Sequence, residues 1–336
     1  MKLVTFRDRR AGRGARGAAR AGALIDGGTR VLDLQAAHRA RYGRASARLG
    51  SVLAIVEGGE DALELARALA AAKRRPKSAV LPRDSVKLDA PIPQPPQMRD
   101  FLCFEQHLVQ AFQAARRLRA RGAPDPAAAL AEMEAKGILA VPQTWYERPI
   151  FYHPNRFGVC GHEDDVPWPA YCEALDFELE FGCYIGRPGK DIPRERARSH
   201  IFGYTIFDDF SARDEQTREM PGQLGPGKGK DFDHANAMGP CLVTADEIPD
   251  PYALGMKVRV NGEEWGRGSS RDMHWKFEDC IAHAARAETL HAGEFFGSGT
   301  VGNGSGLEQM RFLAPGDVVE LEVEGIGVLR NRVVKR

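Results

Sequence analysis

The spacing of apolar residues changes part-way along the chain. Near the N-terminus, short apolar runs flank Gly27-Gly28 and predict strands around a turn. Leucine and alanine then recur at helical spacing over residues 61–73, which predicts a helix with Asp61 as its N-cap. A second helix is predicted over residues 127–136, ending at Gly137.

From residue 176 onward, short alternating or β-branched segments separated by turn residues predict a strand-rich region. The predicted strands cover residues 176–185, 203–207, 257–260, 317–323 and 326–334. Asn261-Gly262 is the strongest hairpin signal, and residues 277–287 are predicted to form one helix. With no regular βαβ repeat, the pattern indicates a β-rich α+β fold.

A proline-rich segment interrupts both patterns. Residues 91–96 contain four prolines, which neither a helix nor a central strand accommodates. We therefore predict a linker at this point, between a small mixed N-terminal domain at 1–95 and a larger domain at 96–336.

Charge and cysteine content narrow the class of protein. The formal net charge is +1, so the charge of the whole chain gives no indication that the protein binds nucleic acid. The first fifty residues carry twelve Lys/Arg against three Asp, but interleaved apolar residues favour folded strands over a nucleic-acid-binding arm. No apolar run is long enough for a membrane span, and none at the start resembles a secretory signal. Six cysteines without a CxxC pair predict reduced thiols in a cytoplasmic protein.

Three acidic residues at alternate positions form the first candidate site. On a strand, Asp176, Glu178 and Glu180 point to one face. Carboxylates this close repel one another unless a cation lies among them, and oxygen-only ligands suit Mg²⁺, Mn²⁺ or Ca²⁺. A solvated acidic strand face is the alternative, and the pattern alone leaves it open.

Three further segments place polar groups where chemistry is often found. Asp208-Asp209 end an apolar strand a few residues before Arg213, although an aspartate N-cap explains that pattern equally. Asp100 and His107 lie seven residues apart, close enough to supply a metal ligand and a base. Residues 297–306 are glycine-rich and permit close backbone approach to a ligand, but lack the Lys-Ser/Thr of a phosphate-binding loop.

Taken in order, these segments resemble the fumarylacetoacetate hydrolase family. The resemblance covers nearly the whole chain and is most specific in Asp176-Phe-Glu-Leu-Glu180, in Asp209-Phe-Ser-Ala-Arg-Asp-Glu-Gln216 and in Ser298-Gly-Thr300. Its layout is most similar to the larger, fumarylacetoacetase-type members. The resemblance implies a mixed β-sandwich roll as the catalytic domain, preceded by a small N-terminal domain.

The resemblance also implies roles for particular residues. The carboxylates that would hold one Mg²⁺ ion, with Mn²⁺ or Ca²⁺ as alternatives, are Asp100, Glu178, Glu180 and Asp209. The catalytic residues would be His107 as general base, Glu308 as the acid that orients it, and Arg213, Gln216 and Lys230 as donors to the substrate. Thr300 would contact the carboxylate end of the substrate, whereas Asp176 would support the site without binding the metal.

Departures from the family pattern bear on the substrate. Leu102 and Met220 stand where fumarylacetoacetase has tyrosines that face the substrate, so we expect these two residues to contact a different substrate. Residues 108–147 form an insertion directly after the predicted base. We predict that it is a lid and that Arg116 on it reaches a substrate carboxylate; a solvated surface or a dimer contact is the alternative.

The activity implied by the resemblance is metal-dependent hydrolysis of a carbon–carbon bond in a 1,3-diketo acid. The substrate would be an acylpyruvate or a fumarylacetoacetate-like compound of aromatic catabolism, and the protein a homodimer. Hydratases, decarboxylases and isomerases of 2-oxo acids use a similar cage of carboxylates and remain alternatives. A non-catalytic binder of a metal and a dicarboxylate is a further alternative, disfavoured because chelation needs no base.

Overall fold

The computed structural model describes residues 1–9 and 17–335. The arginines at 10, 13 and 16, part of the basic N-terminal segment, lie outside the described residues. The helices are α1 Leu34–Tyr42, α2 Val52–Glu57, α3 Gly59–Ala70, α4 Glu105–Ala120, α5 Pro126–Ala135, α6 Gln143–Glu147, α7 Arg194–Ala197, α8 Arg213–Glu219, α9 Phe277–Ala284 and α10 Gly306–Gln309.

Short strands make up most of the remaining regular structure. In the N-terminal third they are β1 Lys2–Asp8, β2 Arg20–Ile25, β3 Arg30–Asp33, β4 Val80–Pro82, β5 Val86–Asp89 and β6 Met98–Phe101. They continue as β7 Phe151–Tyr152, β8 Val159–Cys160, β9 Asp165–Pro167, β10 Leu175–Asp176, β11 Leu179–Ile185, β12 Gly189–Lys190, β13 Ile201–Asp209 and β14 Ser211–Ala212. The last are β15 Asn236–Thr244, β16 Gly255–Val260, β17 Glu263–Ser269, β18 Thr289–Leu290, β19 Phe295–Gly297, β20 Val318–Val323 and β21 Gly327–Val334.

One large mixed sheet organises the molecule. Its strand order is β4-β3-β2-β1-β15-β13-β11-β19-β6-β7, with β5 on β1 and β8 on β15. Most neighbours are antiparallel, whereas β19 and β6 pair in parallel. The strands before residue 95 therefore continue the sheet that carries the candidate site. Because strands from both sides of the proline-rich segment share this sheet, a division into domains at residue 95 stays a prediction.

A second sheet covers one face of the first. It has the order β17-β16-β20-β21-β9, and its inward residues Val258 and Leu321 share one buried core with Phe181 and Ile206 of the large sheet. Alternating residues of β11 and β13 supply the opposite face, which packs under α1–α3 in a second core that includes Tyr184. The two packed sheets form a sandwich with helices on the outside, an arrangement that buries the apolar faces of both sheets.

The predicted elements are found with shifted bounds. The helix predicted to start at Asp61 begins at Gly59 with Gly58 as its N-cap, so Asp61 lies in the first turn instead. The strand predicted over 176–185 is interrupted between β10 and β11, and the helix predicted over 277–287 ends at Ala284. The hairpin at Asn261-Gly262 forms as predicted, with φ angles of 52° and 81° that suit these two residues.

All six cysteines are buried and free, which confirms the prediction of reduced thiols. Cys103 and Cys280 lie 3.6 Å apart between their sulfur atoms, in the core behind the candidate site. Burial raises the pKa of both thiols above the usual range, which keeps them protonated and unreactive. Within the described residues, none of the helices has the length and apolar character needed to cross a bilayer.

The insertion at 108–147 comprises most of α4 together with α5 and α6, and α4 covers the candidate site. It is anchored at its far end by Trp145, which is 1% exposed and donates its indole N–H to the Leu102 carbonyl at 2.6 Å. Near its beginning, the side-chain amide of Gln110 donates to the side-chain oxygen of Asn303 and accepts the backbone N–H of Asn303. The insertion is thus packed at both ends, and its opening and closing as a lid stays a prediction.

Candidate active site

Three buried carboxylates from three strands of the large sheet converge at one point. Asp100 lies on β6, Glu180 on β11 and Asp209 at the end of β13, and one oxygen of each lies within 4.8 Å of the others. Strand β19 separates β6 from β11, and its Gly297 pairs with Asp100. A Cβ atom at Gly297 would lie 2.3 Å from the Asp100 carboxylate, so glycine leaves the space that this side chain occupies.

The electrostatics of these carboxylates are unfavourable in the absence of a cation. Burial, together with the charge of Asp209, raises the pKa of Asp100 to about 8. Burial and the neighbouring Asp100 raise the pKa of Glu180 well above its usual range. The pKa of Asp209 is also raised by burial, although Lys230 opposes the shift. Folding thus stores repulsion that a bound cation would relieve.

The unsatisfied oxygens of this cluster fit a divalent cation. Within residues 1–9 and 17–335, Oε2 of Glu180 and Oδ1 of Asp209 are buried and accept no hydrogen bond. Buried acceptors without partners are rare in folded proteins, and a cation at the cluster would satisfy both. Since the donors are carboxylate oxygens alone, the set suits a hard cation such as Mg²⁺, Mn²⁺ or Ca²⁺ rather than zinc.

Glu178, the fourth predicted ligand, is held differently from the other three. Lys230 donates to it at 2.6 Å and Arg213 at 2.7 Å. Despite burial, these two cations lower the pKa of Glu178, the opposite of the shift at Glu180. The structure thus places Glu178 next to the cluster, joined to Asp209 through the shared Lys230 ammonium.

Arg213 and Lys230 are engaged mainly by carboxylates. Arg213 donates from Nε to Asp176 at 2.8 Å and from a terminal nitrogen to Gln216 at 2.9 Å, in addition to its contact with Glu178. Lys230 donates to Asp209, to Glu178 and to Ser211. Burial alone would lower the pKa of each cation, but the carboxylates raise both above their usual values.

A histidine–glutamate pair lies beside the cluster. Nδ1 of His107 is 2.9 Å from Glu308 Oε1, and Nε2 is 3.9 Å from Glu178. Both His107 and the Glu308 carboxylate are buried. The other oxygen of Glu308 accepts the backbone N–H of Ser305 at the start of α10, which fixes the carboxylate. Glu308 in turn fixes the orientation of the His107 ring, with Nε2 towards Glu178 at the side of the acidic cluster.

A cavity of about 330 Å³ opens over the cluster and is bounded by α4. Its polar end is lined by Asp100, His107, Glu178, Glu180, Arg213, Gln216, Lys230 and Thr300. The other residues that line it are mainly apolar and include Leu102, Leu108, Ala111, Phe112, Ala115, Leu139, Ile150, Phe151, Met220 and Leu307. The volume is in the range of sites for small organic ligands.

The structure brings together nearly all of the residues predicted from the sequence. Leu102, Met220 and Thr300 line the cavity as expected. Asp176 lies outside it, accepting hydrogen bonds from Arg213 and from the backbone at the start of α10. Lys230 differs from the expectation, since its three N–H groups all donate to protein atoms and none is directed to a substrate.

The prediction that Arg116 reaches the substrate does not agree with the structure. Its guanidinium donates to the Leu139 carbonyl at 2.8 Å, within the insertion, and Arg116 is not among the residues that line the cavity in the described part of the chain. The arginine of α4 that does line the cavity is Arg119, one helical turn further along. The spacing in the sequence could not distinguish the two faces of a helix whose partner was unknown.

Two supporting residues were missed from the sequence. Tyr152 donates its hydroxyl to Asp209 at 2.7 Å, because β7 pairs with β6 opposite Asp100. Asp208 accepts the backbone N–H of Glu178 at 3.0 Å and so fixes the interruption between β10 and β11. The Asp208-Asp209 doublet pointed to the second residue, whereas nothing in the local sequence around Tyr152 indicates its partner.

Comparison with known families decides the class of this site. A model of the fumarylacetoacetate (FAA) hydrolase C-terminal domain matches residues 99–334. The chain belongs to the fumarylacetoacetate hydrolase family. The acidic cluster, the His107–Glu308 pair and the cavity all lie within the matched region, and the β-rich α+β fold class predicted from the sequence is confirmed.

Relatives in this family carry several activities. The chain is 30% identical over 322 residues to a protein named oxaloacetate tautomerase YisK from Bacillus subtilis, covering 93% of this chain and 95% of the relative. It is 32% identical over 280 residues to human oxaloacetate tautomerase FAHD2A, mitochondrial, covering 83% of this chain and 78% of the relative.

Solved structures show the same fold. The chain superposes on a fumarylacetoacetate hydrolase from Exiguobacterium antarcticum with a TM-score of 0.70 at 24% identity, covering 99% of this chain and 100% of the other. It superposes on a maleylpyruvate hydrolase from Sphingobium with a TM-score of 0.67 at 21% identity, covering both chains completely. These two likenesses show the fold. The family model is named for a hydrolase and the two relatives are named tautomerases, so the chain is a member of an enzyme family.

Proposed function

We propose that this protein is a metal-dependent hydrolase of a carbon–carbon bond in a 1,3-diketo acid of the acylpyruvate type. The observation that supports it best is the buried His107–Glu308 pair, with Nε2 of His107 3.9 Å from Glu178 beside the acidic cluster. A base oriented by a carboxylate is what activation of a water molecule requires. The reaction adds water across the C3–C4 bond, giving a carboxylic acid and pyruvate.

Asp100, Glu180 and Asp209 would hold the divalent cation, with Glu178 at their side. When bound, the cation would supply a Lewis acid for a carbonyl oxygen of the substrate. His107 would take a proton from water while the water oxygen forms a bond to C4, and Glu308 would stabilise the resulting imidazolium. As the C3–C4 bond breaks, C4 leaves as the carboxylic acid and the imidazolium returns the proton to C3 of pyruvate.

Three further residues would bind and orient the substrate. Both terminal nitrogens of Arg213 keep a second N–H besides those that contact Gln216 and Glu178. Gln216 accepts from Arg213 through its carbonyl oxygen, so its amide N–H groups are available to a substrate oxygen. Thr300, which lies 3.4 Å from Glu180, offers a hydroxyl at the same end of the cavity.

Tautomerisation of a 2-oxo acid is the second candidate, supported by the names of the relatives aligned over most of the chain. It uses the same base and the same cation site, but moves a proton between carbon and oxygen without adding water. The isomerase alternative inferred from the sequence would likewise move a proton without adding water. A non-catalytic binder is disfavoured, because chelation alone gives no role to a buried histidine held by Glu308.

The two candidates predict different products. With an acylpyruvate and Mg²⁺, the hydrolase should bleach the diketone ultraviolet band and release pyruvate and acid in equal amounts. With oxaloacetate, the tautomerase should accelerate the loss of enol absorbance without new carboxylates forming. Enol loss without cleavage of any acylpyruvate would reject the hydrolase, and cleavage at a rate abolished by EDTA would support it.

We also propose Mg²⁺ as the physiological cation, a homodimer as the assembly and the cytoplasm as the location. The donor set suits Mg²⁺ as it suits Mn²⁺ and Ca²⁺, so the choice of Mg²⁺ rests on the resemblance, as does the homodimer. The cytoplasm rests on the reduced cysteines. Metal analysis of purified protein, light scattering and cell fractionation test the three separately.

A further inference from the structure

One face of α4 forms a continuous wall of the cavity. Residues 108, 111, 112, 115 and 119 line it, a spacing of three and four that places them on one side of a helix. Four of the five, Leu108, Ala111, Phe112 and Ala115, are apolar. The stripe begins next to His107 and ends at Arg119, which is exposed.

The length of this wall exceeds what a short substrate needs. At about 1.5 Å of rise per residue, the eleven steps from Leu108 to Arg119 span about 16 Å. The carbon chain of a four-carbon diacid such as oxaloacetate has three C–C bonds of about 1.5 Å and would cover only about a quarter of that length. Since the polar end already holds the cation site and the base, the rest of the wall faces some other part of the ligand.

The residues that line this part of the cavity favour an apolar group. Leu139, Ile150 and Met220 line the cavity together with the α4 stripe, and Arg119 at the end of the stripe is the one charged residue of that stripe. A carboxylate placed among the apolar side chains between His107 and Arg119 would lose hydration without gaining a donor from them, which is unfavourable. An alkyl or aryl group placed there gains free energy from burial. The two alanines, Ala111 and Ala115, leave the space that such a group would fill.

We propose that the apolar face of α4 is the subsite for the acyl group of the substrate, and that this group is an alkyl or aryl chain. The inference rests on the proposed function, because it takes the acidic cluster as the site of the 2-oxo acid end. Ala111 and Ala115 are specificity-determining residues, since their small side chains set the length of chain that the cavity accepts. Arg119 marks the end of the cavity at the solvent.

The test is the affinity of straight-chain 2-oxo acids from 2-oxobutanoate to 2-oxooctanoate in the presence of Mg²⁺, measured by isothermal titration calorimetry. Each added CH₂ group should lower the dissociation constant about fourfold, as expected for burial of one methylene. Ala115→Leu fills the subsite, so it should remove this gain for the longest acids and leave 2-oxobutanoate binding unchanged. Ala111→Leu should act likewise and provides a second variant if the first folds poorly.

Arg117→Leu is the matched control, because Arg117 is exposed on α4 and does not line the cavity. It adds an apolar side chain to the same helix and should leave the dependence on chain length intact. A dissociation constant independent of chain length in the wild-type protein would overturn the inference, as would an equal effect of Ala115→Leu on short and long acids. Failure of every 2-oxo acid to bind would instead reject the proposed function.

Discussion

Two glutamates two residues apart on the chain should respond in opposite ways to the same substitution. Glu180 lies among carboxylates, and within the described residues its Oε2 has no hydrogen-bond partner. Glu178 is paired with Arg213 and Lys230. We predict that Glu180→Gln stabilises the metal-free protein, whereas Glu178→Gln destabilises it. The sequence alone, with both residues on one acidic face, suggested relief of repulsion at either position.

The magnitude follows from the distances. Two unit charges 4.8 Å apart repel by about 3.5 kcal/mol at an effective dielectric constant of about 20. The raised pKa values of Asp100 and Glu180 mean that the carboxylates are partly protonated, which removes part of this repulsion. We therefore expect Glu180→Gln to raise the free energy of unfolding in EDTA by about 1–2 kcal/mol.

Glu178→Gln is the matched control. Loss of the Glu178 carboxylate leaves the buried Arg213 and Lys230 with one carboxylate partner fewer each. Removing one partner of a buried ion pair costs about 3 kcal/mol or more of stability. The two variants carry the same chemical change within one short segment. If the free energy of unfolding changes in opposite directions for the two variants, the difference comes from the environments of the two side chains and not from a general effect of substitution.

Urea unfolding in EDTA and in Mg²⁺ measures both effects. At a Mg²⁺ concentration one hundred times its dissociation constant, the wild-type protein should gain about 2.7 kcal/mol, and Glu180→Gln should lose most of that gain. If Glu180→Gln destabilised the protein in EDTA as much as Glu178→Gln does, Glu180 would not lie in a repulsive environment. If Glu180→Gln kept the full stabilisation by Mg²⁺, Glu180 would not be a ligand.

Three further predictions concern the base, the buried arginine and acid stability. His107→Ala should lower kcat by about 10²–10⁴ while Mg²⁺ still raises the unfolding midpoint, because His107 is not one of the three clustered carboxylates; loss of the Mg²⁺ effect would contradict its role as base. Arg213→Lys should lower the free energy of unfolding by about 2 kcal/mol or more, since the single nitrogen of an ammonium cannot reach Asp176, Gln216 and Glu178 as the three separate nitrogens of the guanidinium do; wild-type stability in urea would refute this. Burial lowers the pKa of His162 from 6.5 to about 4, so the unfolded chain takes up a proton between these values and the folded protein does not. Stability should therefore fall by up to about 3 kcal/mol as the pH decreases from 6.5 to 4, and His162→Asn should remove that part of the decrease; identical acid titrations of the two proteins, followed by circular dichroism, would show that His162 is not responsible.

Local patterns were sufficient for much of the fold, whereas the set of predicted carboxylate ligands came from the resemblance to the family. The alternation of apolar and polar residues identified β11. Glu180 pairs with Phe207 of β13, and Asp209 lies two residues further along β13, so the side chains of Glu180 and Asp209 lie on the same face of the sheet. The bounds of α3 and α9 were less accurate, because helix ends depend on capping and on tertiary contacts as well as on periodicity.

The parts that could not be predicted depend on which strands become neighbours. The pairing of β7 with β6 brings Tyr152 to Asp209, and the parallel pairing of β6 with β19 brings Asp100 to the cluster. The choice between Arg116 and Arg119 required knowing which side of α4 packs on the sheet. The different environments of Glu178 and Glu180 are also invisible in the sequence, because Arg213 and Lys230 approach from a distant segment.

In the mechanism proposed here, His107 and the cation site together add water across a carbon–carbon bond. An acylpyruvate with an alkyl or aryl acyl group, incubated with the Mg²⁺-loaded protein in heavy-oxygen water, tests this claim by mass spectrometry of the products. We predict one labelled oxygen in each molecule of released carboxylic acid, with pyruvate in equal amount. The His107→Ala variant should form these products about 10²–10⁴ times more slowly. Recovery of the intact diketo acid, changed only in its keto–enol ratio, would contradict the claim and leave tautomerisation as the function of this site.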